Sequence, residues 1–137
     1  MPGPRMFVII ALALSALPSV GRAANIDCAK ADTQAALNLC EGKELEVADK
    51  DLNRVRKELR KKIGDAAAKA TFEEAEKAWE TYRDAECKFE SSGAAGADAE
   101  QMVVAHCQVQ RTLTRINVLK RILDCKRGDF TCPRLTR

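Results

Sequence analysis

Six cysteines, at Cys28, Cys40, Cys87, Cys107, Cys125 and Cys132, constrain this chain of 137 residues more than any other feature. Their number is even, and none falls in the apolar stretch at the N-terminus. In a small chain that opens with an export signal, this reads as a disulfide framework rather than a set of metal ligands or nucleophiles. The export signal is residues 1–23. Arg5 gives a weakly positive start, and Phe7 to Leu17 is an apolar run of signal-peptide length, too short to span a bilayer. Gly21 and Ala23 place small residues where a signal peptidase needs them, so cleavage is expected near Ala23–Ala24. The polar residues Asn25 and Asp27 precede Cys28, which argues against lipid attachment there. No second long apolar run follows, so no stable membrane insertion is expected after cleavage, and a periplasmic or secreted location is. Residues 24–137 are long enough for one domain with one core.

Composition points to helix. Ala, Leu, Glu, Lys and Arg dominate, aromatic residues make up 4%, and proline is absent between Ser19 and Cys132. A first helix is expected from an N-cap at Asp32 or Thr33 to about Ile63, with Gly64 as its stop. Leu37, Cys40, Ala48, Leu52, Val55, Leu59 and Ile63 make one apolar stripe on it, and Gly42 is a place where it can bend or restart. A second helix is expected from Ala67–Thr71 to about Phe89, with Phe72, Ala75, Trp79, Tyr82 and Phe89 facing in. The run from Ser91 to Gly96 is a linker. A third helix from Asp98 to Asp124 turns Met102, Val109, Leu113, Ile116 and Leu123 inward. Short connections make neighbours antiparallel. The fold class is therefore all-α, an antiparallel bundle of about three long helices stapled by disulfides, with a short turn-like tail.

The net charge of +3 falls to +1 once Arg5 and Arg22 leave with the leader, so the basic pI is no argument for nucleic acid. The distribution says more. Residues 65–100 carry ten acids against four bases, and residues 101–137 carry eight bases against two acids. Either an acidic helix packs beside a basic one and the two neutralise each other, or an acidic face is left for a cationic partner.

In a helical hairpin, residues equidistant from the turn share a level. Cys40 and Cys87 are equidistant from Gly64, which favours Cys40–Cys87 with Cys28–Cys107. Two other pairings remain open: Cys28–Cys40 with Cys87–Cys107, and Cys28–Cys87 with Cys40–Cys107. All four are expected at one end of the bundle. Cys125 and Cys132 close a separate loop, a link that contributes about 2–3 kcal/mol in the chain-entropy account.

Three patches and their echo carry a resemblance. They are Cys28, Thr33 and Gln34 followed by Asn38 and Cys40; Asp49, Leu52 and Asn53; and Trp79, Tyr82, Arg83, Asp84 and Cys87. Cys107, Thr112 and Arg115 repeat a related spacing further on. The pattern resembles the LprI-like lysozyme-inhibitor family of small exported bacterial proteins, over about residues 25–124. The resemblance implies a bacterial envelope location, a helical fold and inhibition of lysozyme. Each motif residue also has a structural reading. Trp79 and Tyr82 lie on the apolar stripe as core, while Arg83 and Asp84 hydrogen-bond with Asp49, Asn53 or Thr112 to set helix register.

Other chemistry finds little support. His106 stands alone for a metal site. No phosphate loop, nucleophile elbow or zincin motif appears. Glu73, Glu74 and Glu76 read as an exposed acidic helix start rather than as an acid–base pair. No catalytic residue and no cofactor is expected, and the chain is not expected to be an enzyme. Arg127, Gly128 and Asp129 within the last cysteine loop resemble the integrin-binding loops of disintegrins, but a three-residue match is weak, and a C-terminal turn bent at Gly128 and locked by the disulfide is the favoured reading. Two functions follow. One is non-covalent occlusion of lysozyme or another peptidoglycan-cleaving enzyme. The other is a structural or protein-interaction module of the envelope with no lysozyme target.

Overall fold

The computed structural model describes residues 26–126 and 128–136. The expected leader, 1–23, and Arg127 of the last cysteine loop lie outside them. Three helices account for most of the chain: α1 (Gln34–Lys62), α2 (Ala66–Glu90) and α3 (Glu100–Leu123). Thr33 caps α1 by accepting from the Ala36 amide at 3.2 Å, and Asp65 caps α2 by accepting from Ala68 at 2.7 Å. Arg60, Lys61 and Lys62 fill the last turn of α1, where cations meet the negative end of the helix dipole. Gly42 does not break α1, which runs unbroken through it. A short 3-10 turn, Ser91–Ala94, leads from α2 into the connection to α3. There Gly96 takes φ +76°, and its amide donates to Glu100 in the first turn of α3 at 2.8 Å.

The helices run up, down and up, so α1 and α3 are parallel. Among the described residues, their backbones run alongside each other more extensively than those of any other two helices. Leu52, Val55 and Leu59 of α1, and Ile63 that caps it, meet Ile116 and Leu119 of α3 in the central cluster, all nearly solvent-free. Phe72 and Trp79 of α2 close it from the third side. The tail after α3 turns back to the end of α1. Leu135 bridges to Ile63 and packs on the core, and the Thr136 hydroxyl donates to the Lys62 carbonyl at 2.9 Å.

The disulfides are Cys28–Cys40, Cys87–Cys107 and Cys125–Cys132. The favoured pairing of Cys40 with Cys87 and Cys28 with Cys107 is thus corrected. The hairpin symmetry puts Cys40 and Cys87 at one level but says nothing about lateral distance. Backbones of α1 and α2 hardly ever come within 8 Å, because arginine and glutamate side chains fill the gap between them. A disulfide needs Cα atoms closer than about 7 Å. Cys28 instead turns back onto its own helix, and Cys87 meets Cys107, each pair 5.6 Å apart at Cα.

The expected inward face of α2 is also corrected. Tyr82 is 58% exposed and Phe89 78%, and Ala75, Ala78 and Ala85 are exposed with them. Leu113 of α3, expected inside, is half exposed. Glu76, expected on an exposed helix start, is buried. The face that turns inward carries Phe72, Glu76, Trp79, Arg83 and Cys87, and it is half polar.

Candidate functional site

That half-polar face organises the centre of the bundle. Trp79 lies under three guanidinium groups, one from each helix: Arg83 at 5.3 Å, Arg56 at 5.6 Å and Arg115 at 5.8 Å from the ring centroid. Cations over an indole face are attracted by its quadrupole, but three together repel one another, so anions must accompany them. Glu76 is the central anion, at 5% exposure. It accepts from Arg56 Nε at 2.6 Å through Oε2 and from Arg115 Nε at 3.1 Å through Oε1. Glu80 takes a second bond from Arg56.

One turn further on, Arg83 ties the other two helices together. Its Nη1 donates to Asp49 of α1 at 2.8 Å and to the fully buried Thr112 hydroxyl of α3 at 2.9 Å. Its Nε donates to Asp84 at 2.9 Å, and Asp84 also accepts from Gln108 of α3 at 2.9 Å. Burial acts to lower the affinity of Arg83 for its proton. The hydrogen bonds to Asp49 and Asp84 more than offset this, so the guanidinium binds its proton more tightly than an ordinary arginine. These bonds join all three helices through one guanidinium and one carboxylate, so the network sets how the helices slide against one another.

The motif residues divide accordingly. Asp49, Trp79, Arg83, Asp84, Thr112 and Arg115 converge on this network, and Leu52 sits in the apolar core at 1% exposure. Asn53 is exposed on α1 and Tyr82 is exposed on α2, where its hydroxyl bonds Glu86. Arg56 and Glu80 belong to the network but were not singled out from sequence, and Glu76, read there as part of an exposed helix start, is its central anion. The available signal was spacing, since Glu76 and Arg83 flank Trp79 at three and four residues and so share its face.

The network is close to self-neutral, and its hydrogen-bonding capacity is largely taken up within the protein. Its one orphan is Arg56 Nη2, buried without a hydrogen-bond partner. Arg56, Arg60, Glu73 and Glu80 edge a shallow groove of about 260 Å³ between α1 and α2. Such an arrangement is suited to holding a shape, and no group in it is placed as a nucleophile beside a base.

The end of the bundle away from the tail is fixed differently. Cys28–Cys40 and Cys87–Cys107 lie there, the second of them closing the chain across the connection 91–99. Asn38 of α1 donates to the Asp98 carbonyl of that connection at 2.9 Å. Glu41 lies 3.4 Å from His106 Nδ1, so the lone histidine has an acidic neighbour on another helix. Among the described residues, no group of three His, Cys, Asp or Glu side chains gathers as metal ligands would. In the last cysteine loop, Asp129 accepts from the Thr131 hydroxyl and amide at 2.7 and 2.9 Å, and these bonds hold its carboxyl below its usual range.

Fold and site together define a small all-α protein pinned by three disulfides around an internal charged layer. The family model described as lysozyme inhibitor LprI matches residues 26–119, from the first disulfide through the last core turn of α3. The chain belongs to that family. An uncharacterized protein of Rhizobium meliloti (strain 1021) is 31% identical over 110 residues, covering 72% of this chain and 79% of the relative. No solved structure matches.

Proposed function

We propose that the protein is exported and inhibits a lysozyme-type peptidoglycan-cleaving enzyme by non-covalent occlusion of its cleft. Membership of the lysozyme-inhibitor family carries this reading. The three disulfides fit a location outside the reducing cytoplasm. The acidic run of α2 is a poor candidate for the contact surface. Glu73, Glu76, Glu80, Asp84, Glu86 and Glu90 each already meet an arginine of the chain.

The connection 91–99 suits the role better. It is held at its base by Cys87–Cys107, and a loop fixed before binding loses little entropy on docking. Asp98 on this loop supplies an exposed acid for a cationic enzyme. The test is lysozyme turnover on cell-wall substrate with the purified protein at micromolar concentration and low salt. Inhibition that weakens with salt and with Asp98→Lys supports the reading. Unchanged turnover with no complex in sedimentation sinks it.

A further inference from the structure

Most of α2's charge is used internally, yet its outer face is apolar. Ala75, Ala78, Tyr82, Ala85 and Phe89 recur at alternating steps of three and four, the spacing of a two-helix seam. All five are exposed, Tyr82 at 58% and Phe89 at 78%. At 100° per residue this stripe is turned about 120° around the helix from the inward one, so it is a second, separate face. Thr71, also exposed, extends it by one layer toward the start of α2.

We propose that this face pairs with the same face of a second copy, with the two α2 helices antiparallel. Packing and charge both favour that occupant. Aligned so that Tyr82 lies over Ala78 of the other copy, every layer sets a large side chain against a small one or two small ones together. Tyr82 meets Ala78, Phe89 meets Thr71, and Ala75 meets Ala85. A parallel pair would stack ring on ring and leave gaps between alanines.

The flanking charges make the same choice. Among the described residues, Glu74 is the acid of α2 that meets no internal cation, and Lys88 likewise makes no ion pair within the chain. Both flank the stripe on the same side, fourteen residues apart. In the antiparallel alignment Glu74 of each copy faces Lys88 of the other, with the two Thr81 residues meeting at the two-fold axis. A parallel alignment brings neither charge opposite its complement.

The stripe from Thr71 to Phe89 is about 27 Å long. A single helix pair of that length falls in the small class of interfaces, below about 1,200 Å² in total, so micromolar association is expected. The stripe runs along α2 and ends at Phe89, before the connection 91–99 begins, and this inference does not depend on the lysozyme reading.

Sedimentation equilibrium of the exported, disulfide-intact protein from low micromolar to sub-millimolar concentration tests it. A concentration-dependent dimer is expected, strengthened at low salt. Tyr82→Glu should abolish the dimer with unchanged helical circular dichroism, because Tyr82 is outside the core. Glu74→Lys and Lys88→Glu should each weaken it at least about threefold, through two lost ion pairs. The double exchange should restore it. A monomer across the whole range overturns the proposal, and so does a dimer that Tyr82→Glu leaves intact or that the double exchange fails to rescue.

Discussion

Replacing Glu76 by Gln tests whether the charged centre is what holds the helices in place. The change keeps the shape of the side chain and removes the charge that two arginines share. Glu76 is 5% exposed, and the side chains of Arg56 and Arg115 are 14% and 22% exposed. Removing one partner of a buried, hydrogen-bonded pair costs about 3–5 kcal/mol. Water still reaches the outer edges of both arginines, which puts the loss near the low end, about 3 kcal/mol. For a domain of this size that lowers Tm by about 10 °C or more.

Urea unfolding with disulfides intact is the assay. Trp79 is the only tryptophan, so fluorescence reports directly on the ring beneath Arg56, Arg83 and Arg115, with circular dichroism as a second probe. Glu44→Gln, on α1, exposed and in no ion pair among the described residues, is the control and should stay within about 0.5 kcal/mol of the parent. A double-mutant cycle of Glu76→Gln with Arg115→Met should return a coupling of about 1–3 kcal/mol. A loss below about 1 kcal/mol for Glu76→Gln, or a coupling near zero, refutes the view that this glutamate organises the bundle.

Peptide mapping without reduction should recover Cys28 joined to Cys40 and Cys87 joined to Cys107; a peptide joining Cys40 to Cys87 would overturn the fold's lateral arrangement. Replacing the Cys87–Cys107 pair by serines, which opens a 20-residue separation, should cost about 3 kcal/mol in chemical unfolding, against about 2 kcal/mol for the 7-residue Cys125–Cys132 pair. Tyr82 is the only tyrosine, and its hydrogen bond to Glu86 holds the phenol above its ordinary value of 10.0, so ultraviolet titration should give a midpoint above that, and Glu86→Gln should bring it down. Because the folded-state value is raised, the bond's stabilisation is present below the ordinary tyrosine range and is lost as pH rises through the folded midpoint.

The helices could be read from the chain because their signals are local. Thr33 and Asp65 cap within three residues, and the stripe from Leu52 to Ile63 repeats within one helix. The arrangement of α2 could not, because what decides it is not local. Its apolar residues, counted by period alone, merge two faces into one broad stripe running from Phe72 to Phe89. The residues that select the inner face are Glu76 and Arg83, which rules of burial assign to the surface. They go inside because Arg56, Asp49, Thr112 and Arg115 wait there, 20 to 39 positions away in sequence. Charge complementarity between helices therefore overrides hydrophobicity within one. The same competition explains the disulfides. Filling the space between α1 and α2 with arginine–glutamate pairs sets their backbones too far apart for Cys40 to reach Cys87, and leaves each cysteine the nearer partner it has. It also explains why Tyr82 and Phe89 lie outside: the inner face of α2 is already taken by the charged layer, so the apolar residues left over form a second, exposed face.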